Sequence, residues 1–397
     1  MCSCRHEHRG RLPRTAGLTL VEILVSMALA MVLMAAVYYV YSLSAASFRI
    51  SGQMVGAMER ARFALDQLRR DMALAGFLAT PNSMADPDVC RKPNPPLHGI
   101  AFQQGLGAVP GLGNDVVNAG TGPNDNQNIS PAAVILLGPW WSTNIYTISR
   151  IDSSGTQVFF TPDGMPPPGP NFAAQFQEIF RPGRFLRVTT QEQFQLYGEI
   201  ASASPSTMSV TLTPSTALPI AVPPDLCGYQ GDGSGLEAAV VGYVRYRLRQ
   251  DDRASAPPGK VDLIREELDA NFQVVAASAL VVSEYVVDLQ FYDFVRDRDT
   301  TRRDPDIVVT PLIGSVLSGP GGYGTDTLAS PQRLRAVTVK VTARTEDEDP
   351  SVNFVPRASP DAPLDFYQVD PVMEGAARTV TLAARVSFRQ FAVRSVL

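Results

Sequence analysis

The chain has 397 residues and a net charge of −5, with 18% charged residues. Nucleic-acid binding depends on Lys and Arg that neutralise phosphates, so this acidic balance argues against nucleic acid as a partner. Only three histidines and four cysteines occur in the chain. Two histidines and two cysteines fall in the first ten residues: Cys2, Cys4, His6 and His8.

Three residues of these types follow the N-terminal segment, namely Cys90, His98 and Cys227. A zinc site takes three or four protein ligands, so we expect no metal and no cofactor. A Ser-His-Asp triad would depend on His98, which lies in a proline-rich segment without a nucleophile-elbow pattern. We therefore expect a loop histidine and a protein that is not an enzyme. The glycine-rich run 231–235 lacks the ligand spacing of an EF-hand and predicts plain turns.

Residues 1–17 contain four arginines and one glutamate. A basic segment followed by an apolar one is typical of export signals and of insertion with the positive charges inside. Loss of this segment, which carries +3, would change the net charge from −5 to −8. We therefore predict a leader peptide over residues 1–17.

No charged residue occurs from 23 to 48, where Leu, Val, Met and Ala dominate. At about 1.5 Å per residue a helix of this length spans roughly 39 Å, more than the ~30 Å hydrocarbon core of a bilayer. A single segment can pair all its backbone groups in lipid only as a helix. The sequence therefore predicts a transmembrane helix over residues 23–48.

One acid, Glu22, precedes this apolar run directly. A carboxylate at the edge of a membrane helix is costly unless it has a partner. The surrounding residues, Gly17-Leu18-Thr19-Leu20-Val21-Glu22, resemble the signal sequence of type IV prepilins. The resemblance implies that prepilin peptidase cuts between Gly17 and Leu18, that Leu18 is then N-methylated, and that Glu22 is the fifth mature residue. Leu replaces the more common Phe at the first mature position. An uncleaved signal anchor is the alternative.

The resemblance also implies a role for Glu22 in assembly. Cleavage would expose an α-amino group that stays cationic near neutral pH. In a filament core the Glu22 carboxylate of one subunit could pair with the amino terminus of a neighbour. Because both charges would be desolvated, loss of one partner would cost about 3–5 kcal/mol.

Past residue 49 the apolar pattern becomes a stripe. Apolar residues recur at alternating spacings of four and three, which predicts an amphipathic helix whose polar faces include Asp71. No proline lies between residues 18 and 75, and Gly76 is placed to end the helix. We predict one helix over residues 18–76, with this seam packed on a head domain: Met54, Met58, Ala61, Leu65, Leu68, Met72 and Ala75. A short coiled coil is the alternative.

The remainder predicts a loop-rich connection over residues 77–130 and a β-rich periplasmic head over residues 131–397. The fold class is therefore α+β and type IV pilin-like, with a long N-terminal helix on an antiparallel head. Runs rich in Val, Ile, Tyr, Phe and Thr predict the strands: 132–137, 144–151, 157–161, 185–190, 209–213, 238–249, 260–266, 285–294, 334–342 and 379–391.

Three stretches resemble the PilW family of minor pilins: residues 71–77, 286–293 and 334–344. The resemblance implies a structural subunit that helps to initiate a type IV pilus. Its partners would be other major and minor pilins through the N-terminal helix, prepilin peptidase and the inner-membrane assembly platform. It would span the bacterial inner membrane once, with its head in the periplasm, and then enter the filament.

Two other functions stay open at this stage. A minor pseudopilin of a type II secretion system, similar to the GspJ family, shares the signal and the helix. A tip adhesin or binding module is the other, with a sugar or surface ligand rather than DNA. Two cysteines facing an oxidising compartment favour a disulfide between Cys90 and Cys227, and two separate buried thiols are the alternative.

Overall fold

A computed structural model describes residues 19–104, 126, 129, 131–251, 257, 260–297, 307–310, 331–359, 362–369 and 375–394. The chain divides into two compact units, Met1–Gly52 and Gln53–Leu397. The first unit is helical in its described part. The second unit contains all the strands and the two shorter helices described below.

Helix α1 runs over Leu20–Leu74, within the predicted range 18–76. Gly76 follows it with φ +76°, a left-handed conformation that glycine adopts without steric cost. A Cβ atom at this position would lie 2.6 Å from the ring of Phe391, so the close packing also requires glycine. The Gly76 N–H donates to the carbonyl of Leu137 at 2.8 Å, which joins the helix end to the head.

The strands and short helices follow in chain order: β1 Ile100–Gln104, β2 Ala132–Gly138, β3 Tyr146–Ile151, β4 Gln157–Phe160, α2 Phe172–Ile179, β5 Phe185–Thr189, β6 Gln195–Ser204, β7 Ser209–Leu212, β8 Glu237–Gln250, β9 Val261–Leu268, β10 Leu280–Glu284, β11 Val286–Asp297, β12 Ile307–Thr310, β13 Leu334–Arg344, β14 Phe366–Tyr367, β15 Ala377–Ser387 and α3 Arg389–Arg394.

Five strands of the first sheet follow the order β1-β2-β8-β9-β10, and each neighbouring pair is antiparallel. Strand β2 is buried along its whole length, which explains its uninterrupted apolar sequence. The second sheet has the order β12-β11-β13-β15-β14, also antiparallel. One apolar core contains residues of both sheets together with Ala64, Leu68 and Met72 of α1.

A small barrel is inserted between β2 and β8. The N-terminal half of β8 pairs with both β3 and β5, so the described strands close into the ring β8-β3-β4-β7-β6-β5. Side chains from all six strands, with Phe176 and Phe180, form a second core. Gly138 of β2 lies opposite Gly242 of β8, so the barrel occupies the position of a hairpin turn.

The predicted seam of α1 is wrong at one end. Met58 is 53% exposed, whereas Ala57 and Ala64, which the seam omits, are fully buried. A strict seven-residue repeat drifts by about 20° per heptad around a straight helix. The predicted seam therefore coincides with the buried face of the helix near Leu68 and Met72. Near Met58 the seam lies to one side of the buried face.

The predicted strands are found at β2, β3, β4, β5, β7, β8, β9, β11, β13 and β15. Two predictions need correction. The run 379–391 is strand only as far as Ser387, and helix α3 follows it. The connection 77–130, predicted to be loop-rich, contains strand β1, which pairs with β2. Residues 105–125 of that connection lie outside the described residues.

Candidate assembly site

The N-terminus of α1 carries a capping box. The Glu22 backbone N–H donates to Thr19 Oγ1 at 3.3 Å. In return, the Thr19 N–H and hydroxyl each lie 3.5 Å from Glu22 Oε2. Such reciprocal bonds satisfy backbone donors that the first helical turn leaves unpaired. The Thr-x-x-Glu spacing is the sequence signal for this cap, whereas Glu22 was predicted to act in assembly alone.

Glu22 borders a long apolar surface. The large apolar side chains from Leu20 to Phe48 are between 46% and 79% exposed. Among the described residues, α1 is the one helix long and apolar enough to cross a membrane. Single exposed apolar side chains are ordinary, but an apolar surface of this length indicates contact with lipid or with other helices.

The predicted processing site lies outside the part of the chain that the structure describes. Gly17 and Leu18, the predicted cleavage and methylation residues, lie outside the described residues together with the leader. Their roles stay predictions.

Buried Asp71 fixes the other end of α1 to the head. Its carboxylate accepts hydrogen bonds from the hydroxyl of Tyr246, from Arg265 Nε at 3.2 Å and from Gln67 Nε2 at 3.2 Å. Burial and the neighbouring carboxylate raise the pKa of the Tyr246 phenol. The prediction that Asp71 lies on a polar, solvent-facing side of the helix is wrong, since Asp71 is only 6% exposed.

Further contacts hold the middle of the helix. The Ser283 hydroxyl of β10 donates to the carbonyl of Arg60 at 3.0 Å. The Arg60 guanidinium lies 4.7 Å from the ring centre of Tyr285 and 3.5 Å from a Glu346 carboxylate oxygen. Gln53 Nε2 donates to Asp347 at 2.9 Å. The section of α1 after Gly52 is therefore attached to strand β10 and to the loop that follows β13.

The three PilW-like stretches meet in one core. Stretches 286–293 and 334–344 lie in the neighbouring strands β11 and β13, where Leu289 faces Val341. Both side chains share the core with Met72 of the helical stretch. These residues thus lie where the helix joins the second sheet.

Cys90 and Cys227 form a disulfide, with their Cα atoms 5.5 Å apart. The bond joins the connection after α1 to the loop between β7 and β8. His98 lies in that same connection, where its backbone N–H donates to the Tyr243 hydroxyl at 3.2 Å. Within the described part of the chain, no group of three or more His, Cys, Asp or Glu residues could hold a metal ion.

Comparison with known proteins adds one finding at this site. Residues 12–38 match the family model described as the prokaryotic N-terminal methylation motif. The match covers the predicted cleavage site, Glu22 and the first part of the apolar helix. No curated protein and no solved structure was found to match the chain.

The fold and the motif together define a class. An apolar N-terminal helix followed by a β-rich antiparallel head is a pilin-like α+β architecture. The methylation motif indicates a type IV pilin- or pseudopilin-like protein, and with the apolar helix it fits a membrane-anchored subunit. A pilin-type motif of this kind suggests a structural subunit rather than an enzyme.

Proposed function

We propose that the protein is a PilW-like minor pilin that helps to initiate and assemble a type IV pilus. In this proposal prepilin peptidase cuts after Gly17 and Leu18 is then methylated. Before assembly the subunit is anchored in the inner membrane with its head in the periplasm. Its helix then joins other major and minor pilins in the filament through the assembly platform. The head has no chemistry of its own.

The observation that carries the proposal is the single carboxylate at the start of an exposed apolar helix. Glu22 is the last charged residue before position 49, and its charge must be neutralised once the helix leaves the lipid headgroups. The cationic amino terminus of a neighbouring subunit is the partner that the methylation motif supplies. The two donors of Thr19 each lie 3.5 Å from the Glu22 carboxylate, so these long contacts neutralise its charge only weakly.

A minor pseudopilin of a type II secretion system, similar to the GspJ family, is the second candidate. The same motif and the same helix support it. Both candidates place the subunit in a filament and predict the same behaviour for Glu22.

Replacement of Glu22 by alanine tests the proposal. We expect Glu22→Ala to lower incorporation into filaments by 100-fold or more, because an unpaired buried charge costs about 3–5 kcal/mol. The protein should still accumulate in the membrane at the normal level. The measurement is the ratio of sheared filament-associated protein to membrane-associated protein, by immunoblotting.

Asp66→Ala is the matched control, because Asp66 is an exposed acid of the same helix that pairs with the exposed Arg62 and Arg69. It should incorporate normally, since exposed pairs contribute little. Normal incorporation of the Glu22→Ala chain would contradict the proposal.

A further inference from the structure

Strand β15 has one open side in the second sheet. Residues 379–387 all pair with β13, whereas on the other side of β15 the short strand β14 pairs only with Ala377 and Arg378. Among the strands that the structure describes, none pairs with that other side of residues 379–387. We call this stretch the open edge of β15. The edge of a sheet presents a row of N–H and C=O groups with which another strand can pair.

The backbone groups of every second residue face the open edge. The Thr379 N–H donates to the carbonyl of Asp365, directly before β14, so the backbone groups of Thr379 point away from β13. The register between β13 and β15 contains no shift, so the alternation continues along the strand. The N–H and C=O groups of Thr381, Ala383 and Arg385 therefore face the open edge.

The open edge has few of the features by which edge strands usually avoid pairing with other chains. Such features are short length, proline, β-bulges and charged side chains. Strand β15 has eleven residues and no proline, and it pairs with β13 without a bulge. The one charged residue between positions 379 and 387 is Arg385. The edge is therefore suited to accept a further strand.

The side chains of β15 define what such a strand must carry. On the inner face, Leu382 and Ala384 are half-buried against the main core. A strand beside β15 would cover them if it carried apolar side chains at alternate positions. On the outer face, Thr381, Ala383 and Arg385 are exposed, so the outer positions of the added strand would be polar.

The charge of Arg385 decides between three possible occupants. Within the described part of the chain, no acid pairs with its exposed guanidinium. The β15 strand of a second copy would bring another arginine and no acid. Lipid tails cannot bond to the open N–H and C=O groups. A strand of another protein with a carboxylate opposite Arg385 satisfies both the backbone and the charge, since opposite charges across two strands attract.

We propose that the open edge of β15 binds an extended segment of another protein, which becomes an additional strand of the second sheet. The segment places apolar side chains beside Leu382 and Ala384 and an Asp or Glu opposite Arg385. Main-chain hydrogen bonds supply the affinity of such a contact, and the alternate side chains supply its specificity. The contact goes beyond the proposed function, because it involves neither Glu22 nor removal of the leader.

Photo-crosslinking in the cells that make the protein tests the contact. Benzoylphenylalanine replaces Thr381 in one chain and Ala383 in another, and mass spectrometry locates the attachment points after irradiation. Both probes should attach to one segment of another protein, at points two residues apart, because residues on one face of a strand are spaced by two. That segment should be apolar at alternate positions and contain an acid. The same probe at Val355, an exposed loop valine, should give at least tenfold less of this adduct.

A proline substitution tests the backbone pairing. The Ala383 N–H faces the open edge, so Ala383→Pro removes a donor that the pairing with β13 does not use. The yield of the adduct from the probe at Thr381 should fall at least tenfold. Ala383→Val, which keeps the N–H, should leave the yield within twofold. Urea unfolding of the Ala383→Pro chain shows whether its head stays folded.

Charge reversal gives a readout that does not depend on the proline variant. Arg385→Glu should lower the adduct yield about two- to fivefold, as expected for an exposed ion pair. Arg385→Lys keeps the charge and should retain most of the yield.

Four results would overturn the proposal. The first is no adduct to another protein from either probe, or adducts only to lipid or to a second copy of this chain. The second is attachment points that lie on unrelated segments. The third is an unchanged yield in an Ala383→Pro chain that is folded. The fourth is an equal yield from the Arg385→Glu and Arg385→Lys chains.

Discussion

At the scale of single residues, the head contains carboxylates that are buried with their partners. Asp288 of β11 is 1% exposed and lies 3.3 Å from Arg357 of a distant loop. Burial raises the pKa of the Asp288 carboxyl, and the guanidinium of Arg357 opposes this shift. Such a pair is weak evidence for stability, but removal of either partner leaves a buried charge unpaired.

Of the two carboxylates at the ends of α1, the sequence predicts a special role for Glu22 but not for Asp71. Glu22 stands out because charged residues are absent from the run that follows it. Asp71 did not stand out, because its partners Tyr246 and Arg265 lie far along the chain and only folding brings them to the helix. Short-range pattern alone therefore predicts a solvent-facing acid at position 71.

His98 predicts a dependence of stability on pH. Burial lowers the pKa of its imidazole below the ordinary value, and its Nδ1 atom has no hydrogen-bond partner among the described residues. The unfolded chain therefore binds a proton at His98 more readily than the folded chain does. Protonation then favours the unfolded state, so the folded protein loses stability as pH falls through about 6.5. We expect the free energy of unfolding to fall between pH 7.5 and 5.5, by at most about 1.4 kcal/mol per pH unit from this group.

Urea unfolding of wild type and His98→Gln across this pH range checks the effect. The difference between the two chains should change with pH in the sense that wild type loses more stability on acidification. Parallel curves for the two chains would contradict the role of His98.

At the scale of elements, strands were predicted where alternation or a continuous apolar run is strong. Strands β8, β11 and β13 have 14, 12 and 11 residues and each contains at least three valines, and the sequence predicts all three. Strands β1 and β10 were missed because each is five residues long and depends on pairing with one neighbour. The ten-residue strand β6 was also missed, because it contains Gly198 and two alanines, residue types that are depleted in strands. Closure of the barrel was also not predictable, since it rests on pairings between strands distant in sequence, such as β5 with β8.

The register of α1 on the head predicts unequal effects of two substitutions. Leu68 is fully buried in the main core, whereas Met58 is 53% exposed. Leu68→Ala should lower the free energy of unfolding by about 2–5 kcal/mol, because it removes packed methyl groups and leaves a cavity. Met58→Ala should change it by no more than about 0.5 kcal/mol.

Chemical denaturation of both chains decides between the two registers. The sequence seam, in which Met58 faces the head, predicts a substantial loss for both substitutions. Equal losses at the two positions would support that seam and contradict the structure.

At the scale of the whole molecule, a small barrel is inserted into a pilin-like α+β fold. The barrel replaces the turn between β2 and β8, and the disulfide joins it to the connection after α1. Because the barrel has its own core, the insertion leaves the packing of α1 against the two sheets intact. The sequence predicts five of the six barrel strands and misses β6, and the arrangement of the barrel as an insertion became visible only in the structure.

Intact-mass measurement of the protein extracted with detergent from the cells that make it tests the central claim most directly. If the chain is a processed pilin-like subunit, its mass will correspond to a chain that begins at Leu18 and carries one added methyl group. A mass that includes Met1, or a chain cut beyond residue 45 without its apolar helix, would contradict the assignment.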